Sequence, residues 1–232
     1  MVVGRIDASS IRLIDLIRGM LRHRYHALAS NVAWAARPHV GQVRAQTRIF
    51  STVLRRTAPC LPVAVSRGAT HAQYLPCRLQ FEAGSRFVGV DAPGWDVHYN
   101  CFPSLQTDLI PYADRAYSAL ITDLEERGLL DDTLVVMMGE MGRTPRINSR
   151  AGRDHWSSAQ TIIFAGGGVK PGQIIGATDK TAAAPTTDPV SVSDLLRTIS
   201  NLMGIDADRT YLGPLGRPVP IVDGGKFIEK LI

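Results

Sequence analysis

Two pairs of acidic and histidine residues are the positions in this sequence that could hold a divalent metal ion. Asp96 and His98 lie two positions apart directly after a predicted strand, where an extended backbone points both side chains to the same side. Asp154 and His155 are neighbours in a later loop. Carboxylate and imidazole groups suit zinc, manganese or iron, and such an ion polarises a phosphoryl or sulfuryl oxygen or lowers the pKa of water. The alternatives are a hydrogen-bonded pair at the first position and, at the second, an Asp that caps a turn beside a His packed on Trp156.

Three more charged residues follow predicted strands. Glu140 comes directly after a strand that should be buried, where an ionised carboxylate needs a cation or several hydrogen-bond donors. A salt bridge with Arg143 would satisfy it equally well. Arg143 and Arg153 carry planar guanidinium groups that match a sulfate or phosphate, although each could instead pair with Glu140 or Asp154. Together these loops place candidate metal ligands and anion-binding groups at adjoining strand ends. This combination favours a functional site more strongly than any one of the residue pairs does by itself.

Apolar periodicity predicts the elements that would position these loops. A short buried strand over residues 87–90 ends in an Ala-Pro-Gly turn, and residues 104–127 form a long amphipathic helix that stops at Gly128. The apolar run over 133–138 is of the kind found in central parallel strands covered on both faces. A strand, a helix and a strand in this order indicate a right-handed crossover, with the loops at the carboxyl ends of the strands.

The C-terminal part continues the α/β pattern. A strand over 161–165 leads into three glycines at 166–168, and residues 173–176 are predicted to pair back on that strand as a hairpin. The glycines lack the lysine and the spacing of a phosphate-binding loop. A last helix is predicted over 191–203, capped by Ser193 and ended by Gly204. Its inward-facing residues are Leu195, Leu196, Ile199 and Leu202.

The first 74 residues follow a different pattern. Helical spacing over 9–28 predicts one helix, and residues 43–54 are compatible with a second, but several prolines break the region into short pieces. No apolar strand leading to a nucleophile is evident there. The sequence therefore predicts an Arg-rich, partly helical segment at 1–74 and an α/β domain at 75–232.

Charge is distributed unevenly along the chain. The net charge is +5, but residues 1–86 contain thirteen Arg, no Lys and three acidic residues, whereas the remainder is acidic with a net −5. Arginine-rich segments can bind the phosphates of nucleic acid. These arginines form no basic block, however, and no nucleic-acid-binding motif accompanies them. We therefore expect no nucleic-acid partner.

Membrane insertion and disulfide stabilisation are also not indicated. No apolar run reaches the roughly 18–20 residues of a membrane span, and the N-terminus shows no export signal. The three cysteines have neither metal-binding spacing nor the density of a disulfide scaffold, so we interpret them as buried or incidental thiols. They are Cys60, Cys77 and Cys101.

Three motifs in a fixed order give the domain a family resemblance. They are Gly94-Trp95-Asp96-Val97-His98, Gly139-Glu140-Met141-Gly142-Arg143-Thr144-Pro145 and Gly152-Arg153-Asp154-His155-Trp156. With the closing segments 215–220 and 223–225, they resemble the domain of unknown function 1501 family over residues 75–227. That family is similar to the alkaline phosphatases and sulfatases. The resemblance implies an alkaline-phosphatase-like mixed sheet flanked by helices, incomplete at its N-terminus, and members of the family are generally exported bacterial proteins.

The resemblance also implies roles for individual residues. The metal ligands would be Asp96, His98, Glu140 and His155, and the catalytic residues would be Arg143, Arg153 and Asp154. The ion would be zinc, manganese, calcium or magnesium. Glu140 departs from the wider superfamily, which has an Asp-His pair after the central strand. The superfamily's first strand, which supplies a metal-binding Asp and a nucleophile, has no counterpart in residues 1–74, so water activated by the metal would have to attack instead.

Two hypotheses for function follow. The first is a metal-dependent hydrolase of sulfate or phosphate esters, with a small anionic ester as its substrate. The alternative is a truncated, inactive remnant that acts only as a scaffold or binds a partner, because loss of the early strands would expose a sheet edge.

Overall fold

The structure of the protein, a computed structural model, describes residues 2–4, 49–55, 64–67 and 85–232. The predicted helix over 9–28 and two of the cysteines, Cys60 and Cys77, lie outside the described residues. The strands in the described ranges are β1 (Val2–Gly4), β2 (Ile49–Arg55), β3 (Ala64–Arg67), β4 (Phe87–Ala92), β5 (Thr133–Gly139), β6 (Gly142–Arg143), β7 (His155–Trp156), β8 (Thr161–Ala165), β9 (Ile174–Ile175), β10 (Ala177–Thr178), β11 (Pro185–Thr187), β12 (Thr210–Leu212) and β13 (Pro218–Pro220).

Seven of these strands form one mixed sheet, which confirms the predicted α/β class. Their order across the sheet is β3-β4-β2-β5-β8-β1-β9. β2 is antiparallel to both β4 and β5, and β5 is antiparallel to β8. Parallel pairs join β3 with β4 and β1 with β8. The remaining strands form the two-stranded pairs β6-β7, β10-β11 and β12-β13.

Two predictions about strand pairing are wrong. β5 is central, as predicted, but both of its neighbours are antiparallel, because β2 lies between β4 and β5. β9 does not pair back on β8 as a hairpin, because β1 lies between them, parallel to β8 and antiparallel to β9. Both errors have one cause: each pairing is set by a strand from the N-terminal part of the chain.

β2 also contradicts the possible helix over residues 43–54. Its sequence, Ile-Phe-Ser-Thr-Val-Leu-Arg, is rich in β-branched and aromatic residues that favour strands. Its register is continuous on both sides, from Ile49 to Leu54 against β4 and from Ile49 to Arg55 against β5. Strands that precede residue 75 therefore belong to the same sheet as strands that follow it.

One long helical stretch crosses from β4 to β5, which confirms the predicted helix over 104–127. It begins earlier, at α1 (Cys101–Ser104), continues through a π-helical turn (Leu105–Leu109) and ends with α2 (Ile110–Glu126). Gly128 ends it with φ at +64°. The N–H of Gly128 donates to the carbonyl of Glu125 and that of Leu129 to the carbonyl of Leu124, a Schellman motif that satisfies the last carbonyls. In the described part, no helix combines the length and the apolar character needed to cross a bilayer.

The last α-helix, α3 (Val192–Leu202), confirms the predicted element but corrects its cap. Ser191, not Ser193, is the N-cap, since its side chain accepts from the N–H of Asp194 while the Asp194 carboxylate accepts from the N–H of Ser191. Leu195 and Leu202 are buried as predicted, but Leu196 is 48% exposed. A helix buries only one stripe of its surface, and Leu196 lies outside that stripe. Two short 3₁₀ turns follow, Pro214–Gly216 and Glu229–Leu231.

Helices cover both faces of the sheet. Along β5, Val135 and Met137 belong to an apolar cluster that includes residues of α2, while Leu134 and Val136 belong to a second cluster that includes residues of α3. Side chains alternate between the faces of a strand, so these clusters lie on opposite sides of the sheet. Each fully buried aliphatic side chain contributes roughly 1.5–3 kcal/mol to stability. This core holds the strand ends that carry the loops of the candidate site.

Candidate metal centre

The first site loop leaves the sheet at the end of β4. The chain turns at Gly94, whose φ is +95°, and then side chains alternate in direction. Trp95 and Val97 are buried, at 3% and 0% exposure. Asp96 and His98 point the other way, where the carboxylate Oδ1 lies 2.8 Å from the imidazole Nε2. The spacing of two therefore brings these side chains to the same side, as predicted from the sequence.

The second site loop is closed by the short β6-β7 pair. Its register places Arg143 opposite His155 and Gly142 opposite Trp156. Gly142 is required by a close approach, since a Cβ there would lie 1.8 Å from the carbonyl oxygen of Ala159. The indole of Trp156 donates to the carbonyl of Ala183 at 2.7 Å. His155 is thereby fixed next to Arg143.

Backbone hydrogen bonds join the two loops. The N–H of Arg153 donates to the carbonyl of Val97 at 3.1 Å, and the N–H of Cys101 donates to that of Ala151 at 2.8 Å. Between them, a Cβ on Gly152 would lie 2.1–2.3 Å from backbone atoms of His98 and Tyr99. The backbones of the two loops are therefore packed against each other at Gly152, and no residue with a Cβ fits at this position.

The cluster formed by this contact contains Asp96, His98 and His155, whose candidate ligand atoms all lie within 4.8 Å of one another. The Nε2 atoms of the two histidines are 3.3 Å apart, and that of His155 is 2.9 Å from Oδ1 of Asp96. The Asp96 side chain is 8% exposed, whereas those of His98 and His155 are 31% and 46% exposed. The cluster therefore has a buried carboxylate at its base and an open side formed by His155.

Asp96 is held in its charged form. Burial raises the pKa of its carboxyl group, but the hydrogen bonds from His155 and Arg143 and the charges of Arg143 and His98 outweigh burial, so the pKa falls to about 2. Nη1 of Arg143 lies 2.7 Å from Oδ1 of Asp96, and Nη2 donates to the carbonyl of Trp95. Arg143 is 2% exposed and serves as the buried counter-ion of the site.

Asp154 orients His98 from the opposite side of the ring. Its Oδ1 lies 2.7 Å from Nδ1 of His98, and this hydrogen bond is the largest cause of a lowered pKa of Asp154, to which Asn148 also contributes. An ionised carboxylate can only accept, so His98 donates through Nδ1. Its other ring nitrogen, Nε2, faces the cluster and lies 2.8 Å from Oδ1 of Asp96. This is the carboxylate–histidine arrangement that accompanies metal-binding histidines in proteins.

Asn148 and Thr144 are site residues that sequence reasoning missed. Asn148 donates to the carbonyl of His98 at 3.0 Å and to Oδ1 of Asp154 at 3.2 Å. The Thr144 hydroxyl accepts from the N–H of Asp154 at 3.1 Å. Asn and Thr residues in a loop often form hydrogen bonds between their side chains and nearby backbone groups, so Thr144 and Asn148 could be recognised as loop residues. Their partners His98 and Asp154 lie further away in the chain and could not be identified from the local sequence.

Two of the predicted site residues, Arg153 and Glu140, are not members of the three-residue cluster. Arg153 is 6% exposed, and its Nε donates to the carbonyl of Thr144 at 2.6 Å. Glu140 follows β5 but is exposed and is not part of the three-residue cluster. The alternative pairing of Glu140 with Arg143 is also not observed, because β6 directs Arg143 to Asp96. The predicted role of Glu140 as a ligand has no geometric support in the described arrangement.

Comparison with known proteins assigns the chain to a family. The family described as Protein of unknown function (DUF1501) matches residues 42–232. The match begins before the resemblance predicted over 75–227 and includes β2 and β3, in agreement with their place in the sheet. Searches among curated proteins and among solved structures found no match. With its match spanning more than half of the sequence and all three motifs of the site loops, the chain belongs to the DUF1501 family.

Proposed function

We propose that this protein is a metal-dependent hydrolase of sulfate or phosphate esters, built on an alkaline-phosphatase-like α/β fold. The observation that carries the proposal is the three-residue cluster, in which one carboxylate and two imidazole nitrogens converge with one side open. Three protein ligands with an open position are typical of catalytic metal sites, whereas structural zinc sites are closed by four.

The donor set fits zinc best and manganese next. Two nitrogen ligands about 2.0–2.1 Å from a zinc ion at a tetrahedral angle would lie about 3.3–3.4 Å apart. The observed separation between Nε2 of His98 and Nε2 of His155 is 3.3 Å, whereas Oδ1 of Asp96 lies at hydrogen-bond distance, 2.8 and 2.9 Å, from these two atoms. Calcium and magnesium prefer sites made of oxygen ligands, so the two imidazoles disfavour these ions. An ion bound here would polarise the ester oxygen and lower the pKa of water.

The other residues of the site hold the ligands in place. Arg143 offsets the charge of Asp96, and Asp154 holds the His98 ring through Nδ1 so that Nε2 faces the cluster. Arg153 connects the second loop to the first through its own N–H and to Thr144 through its guanidinium. Burial of both arginines leaves little guanidinium surface for a substrate. We therefore assign them to organising the site, in place of the anion-binding role that the resemblance implies.

Arg150 is the better candidate for contact with the anionic group of the substrate. It is exposed, and its charge is near enough to contribute to the lowered pKa of Asp154. Its backbone is fixed, since its N–H donates to Asn148 and its carbonyl accepts from Asn100. An exposed guanidinium close to Asp154 would be available to bind the sulfate or phosphate group of an ester that approaches from solvent.

Elemental analysis of the purified protein tests the proposal, with the variant Asp96→Ala/His155→Ala and the variant Glu140→Ala analysed beside it. We expect about one zinc or manganese ion per chain in the parent and in Glu140→Ala, and none in the double variant. Hydrolysis of an aryl sulfate and an aryl phosphate should follow the same pattern. Loss of metal in Glu140→Ala would restore Glu140 as a ligand. No metal and no hydrolysis in any of the three proteins would reject the proposal and favour a non-catalytic scaffold.

A further inference from the structure

Asn148 uses its whole side-chain amide within the candidate site. Its oxygen accepts from the N–H of Arg150 at 2.9 Å and from the N–H of Gly152 at 3.0 Å. Its nitrogen donates to the carbonyl of His98 at 3.0 Å and to Oδ1 of Asp154 at 3.2 Å. Two accepted and two donated hydrogen bonds are all that one amide makes in this geometry.

The orientation of this amide follows from its partners. The two backbone N–H groups can only donate, so the oxygen must face them, and the nitrogen must face the carbonyl and the carboxylate. Asn148 therefore holds His98 in two ways: directly at its backbone and, through Asp154, at Nδ1 of its ring. The same oxygen of Asp154 accepts from both Asn148 and His98, which fixes the direction in which that carboxylate faces.

We infer that Asn148 is a positioning residue that sets the direction of the His98 ring and the hydrogen bond at its Nδ1, and thereby the affinity of the cluster for a divalent metal ion, without contacting the ion. The affinity part rests on the metal site proposed above, whereas the effect on the His98 ring holds in the metal-free protein. Residues that orient ligands in this way typically change metal affinity about 10–100-fold when substituted.

Two substitutions separate positioning from loop closure. Asn148→Ala removes all four hydrogen bonds. Asn148→Asp keeps an acceptor for the N–H groups of Arg150 and Gly152 but removes both donated hydrogen bonds and places a carboxylate against Asp154. The added negative charge by itself would tighten cation binding, so weaker binding by this variant has to come from displacement of Asp154 and His98. Asn201→Ala, at an exposed position in α3, is the matched control.

The experiment has two readouts. In metal-free protein with ¹⁵N-labelled histidine, NMR should show a hydrogen-bonded Nδ1–H of His98 in the parent and in Asn201→Ala, and a weakened, rapidly exchanging Nδ1–H signal in both Asn148 variants. Calorimetric titration with zinc ion alone should give a dissociation constant about 10–100-fold weaker for both Asn148 variants than for the parent.

An unchanged Nδ1–H signal of His98 together with parent-like zinc affinity in Asn148→Asp would overturn the inference, even if Asn148→Ala unfolds. A parent that binds no zinc, with the Nδ1–H signal still lost in the variants, would refute the metal site while supporting the positioning role.

Discussion

His98 and His155 are 57 positions apart in the sequence, yet their Nε2 atoms lie 3.3 Å apart and both face Oδ1 of Asp96. Three polar groups rarely converge so closely unless a proton or a metal ion is shared between them, because facing lone pairs repel one another. The convergence also depends on a chain of supports, namely Arg143 under the carboxylate and Asp154 behind one ring. Substitutions can therefore test the supports as well as the cluster.

Zinc should stabilise the folded protein through this cluster. A ligand that binds only the folded state at a concentration of one hundred times its dissociation constant raises the free energy of unfolding by about 2.7 kcal/mol. We expect this increase for the parent in thermal or urea unfolding, and its reversal by a chelator. Asp96→Asn should unfold identically with and without zinc, and an equal gain in that variant would place the binding elsewhere.

Arg143→Met should destabilise the protein strongly. The substitution leaves the buried carboxylate of Asp96 without its counter-ion, and removal of one partner from a buried ion pair costs about 3 kcal/mol or more. Arg127→Met is the matched control, because its ion pair with Asp123 on α2 is exposed and contributes less than about 1 kcal/mol. Urea unfolding curves measure both free energies, and similar losses in the two variants would contradict a buried pair.

Gly152→Ala should separate the two site loops. The added methyl group would lie 2.1–2.3 Å from backbone atoms of His98 and Tyr99, which cannot move aside as a side chain could. We expect a loss of roughly 2–3 kcal/mol in the free energy of unfolding. In the control Gly213→Ala, the nearest atom would be a methyl group of Val219 at 3.0 Å, so that loss should be smaller. Equal losses of unfolding free energy in Gly152→Ala and Gly213→Ala would show that the two site loops can move apart to accept the methyl group.

The cap of α3 should make stability depend on pH in a defined direction. Burial raises the pKa of Asp194, but the hydrogen bonds from Ser191 and from the N–H of Lys226 outweigh it and lower the pKa overall. A carboxyl group with a lowered pKa in the folded state stabilises above its unfolded value, about 3.9, and this contribution is lost as the pH falls through the folded value.

Asp194→Asn should therefore cost about 1 kcal/mol in the free energy of unfolding at pH 7. The difference from the parent should shrink as the pH falls below about 4, where the carboxyl group of the unfolded parent takes up protons before that of the folded parent does. Asp132→Asn, at an exposed position before β5, should change stability by less than about 0.5 kcal/mol at either pH. Denaturant unfolding at pH 7 and at a pH below about 4 measures the difference in the free energy of unfolding between each variant and the parent. The same difference at both pH values for Asp194→Asn would contradict the lowered pKa of Asp194.

The sequence predicted the local elements of the C-terminal part, and the predicted ligands include all three residues of the cluster. The helix before β5 and the strands β4, β5 and β8 were readable because apolar periodicity is a local signal. The pairing of Asp96 with His98 was readable because alternation along an extended chain is local too. The exposure of Glu140 was not readable in this way, because its position after a buried strand does not reveal the bend that follows.

What the sequence did not reveal depends on partners distant in the chain. Asn148 could be recognised as a loop residue, but its hydrogen bond to the carbonyl of His98 spans 50 positions. The place of β2 between β4 and β5 likewise depends on pairing across long separations, and a seven-residue run such as Ile49–Arg55 fits a helix or a strand by local pattern alone.

The position of β2 also constrains the order in which the sheet can assemble. β4, the following helices and β5 form a nearly continuous segment of chain, yet the gap between the two strands has to receive β2 from an earlier part of the sequence. Until β2 is in place, both strands present unpaired edges toward each other, and such edges are where intermediates associate with other chains. Folding of this domain is therefore expected to be slow and sensitive to protein concentration, with insertion of a single central strand as the step that closes the sheet.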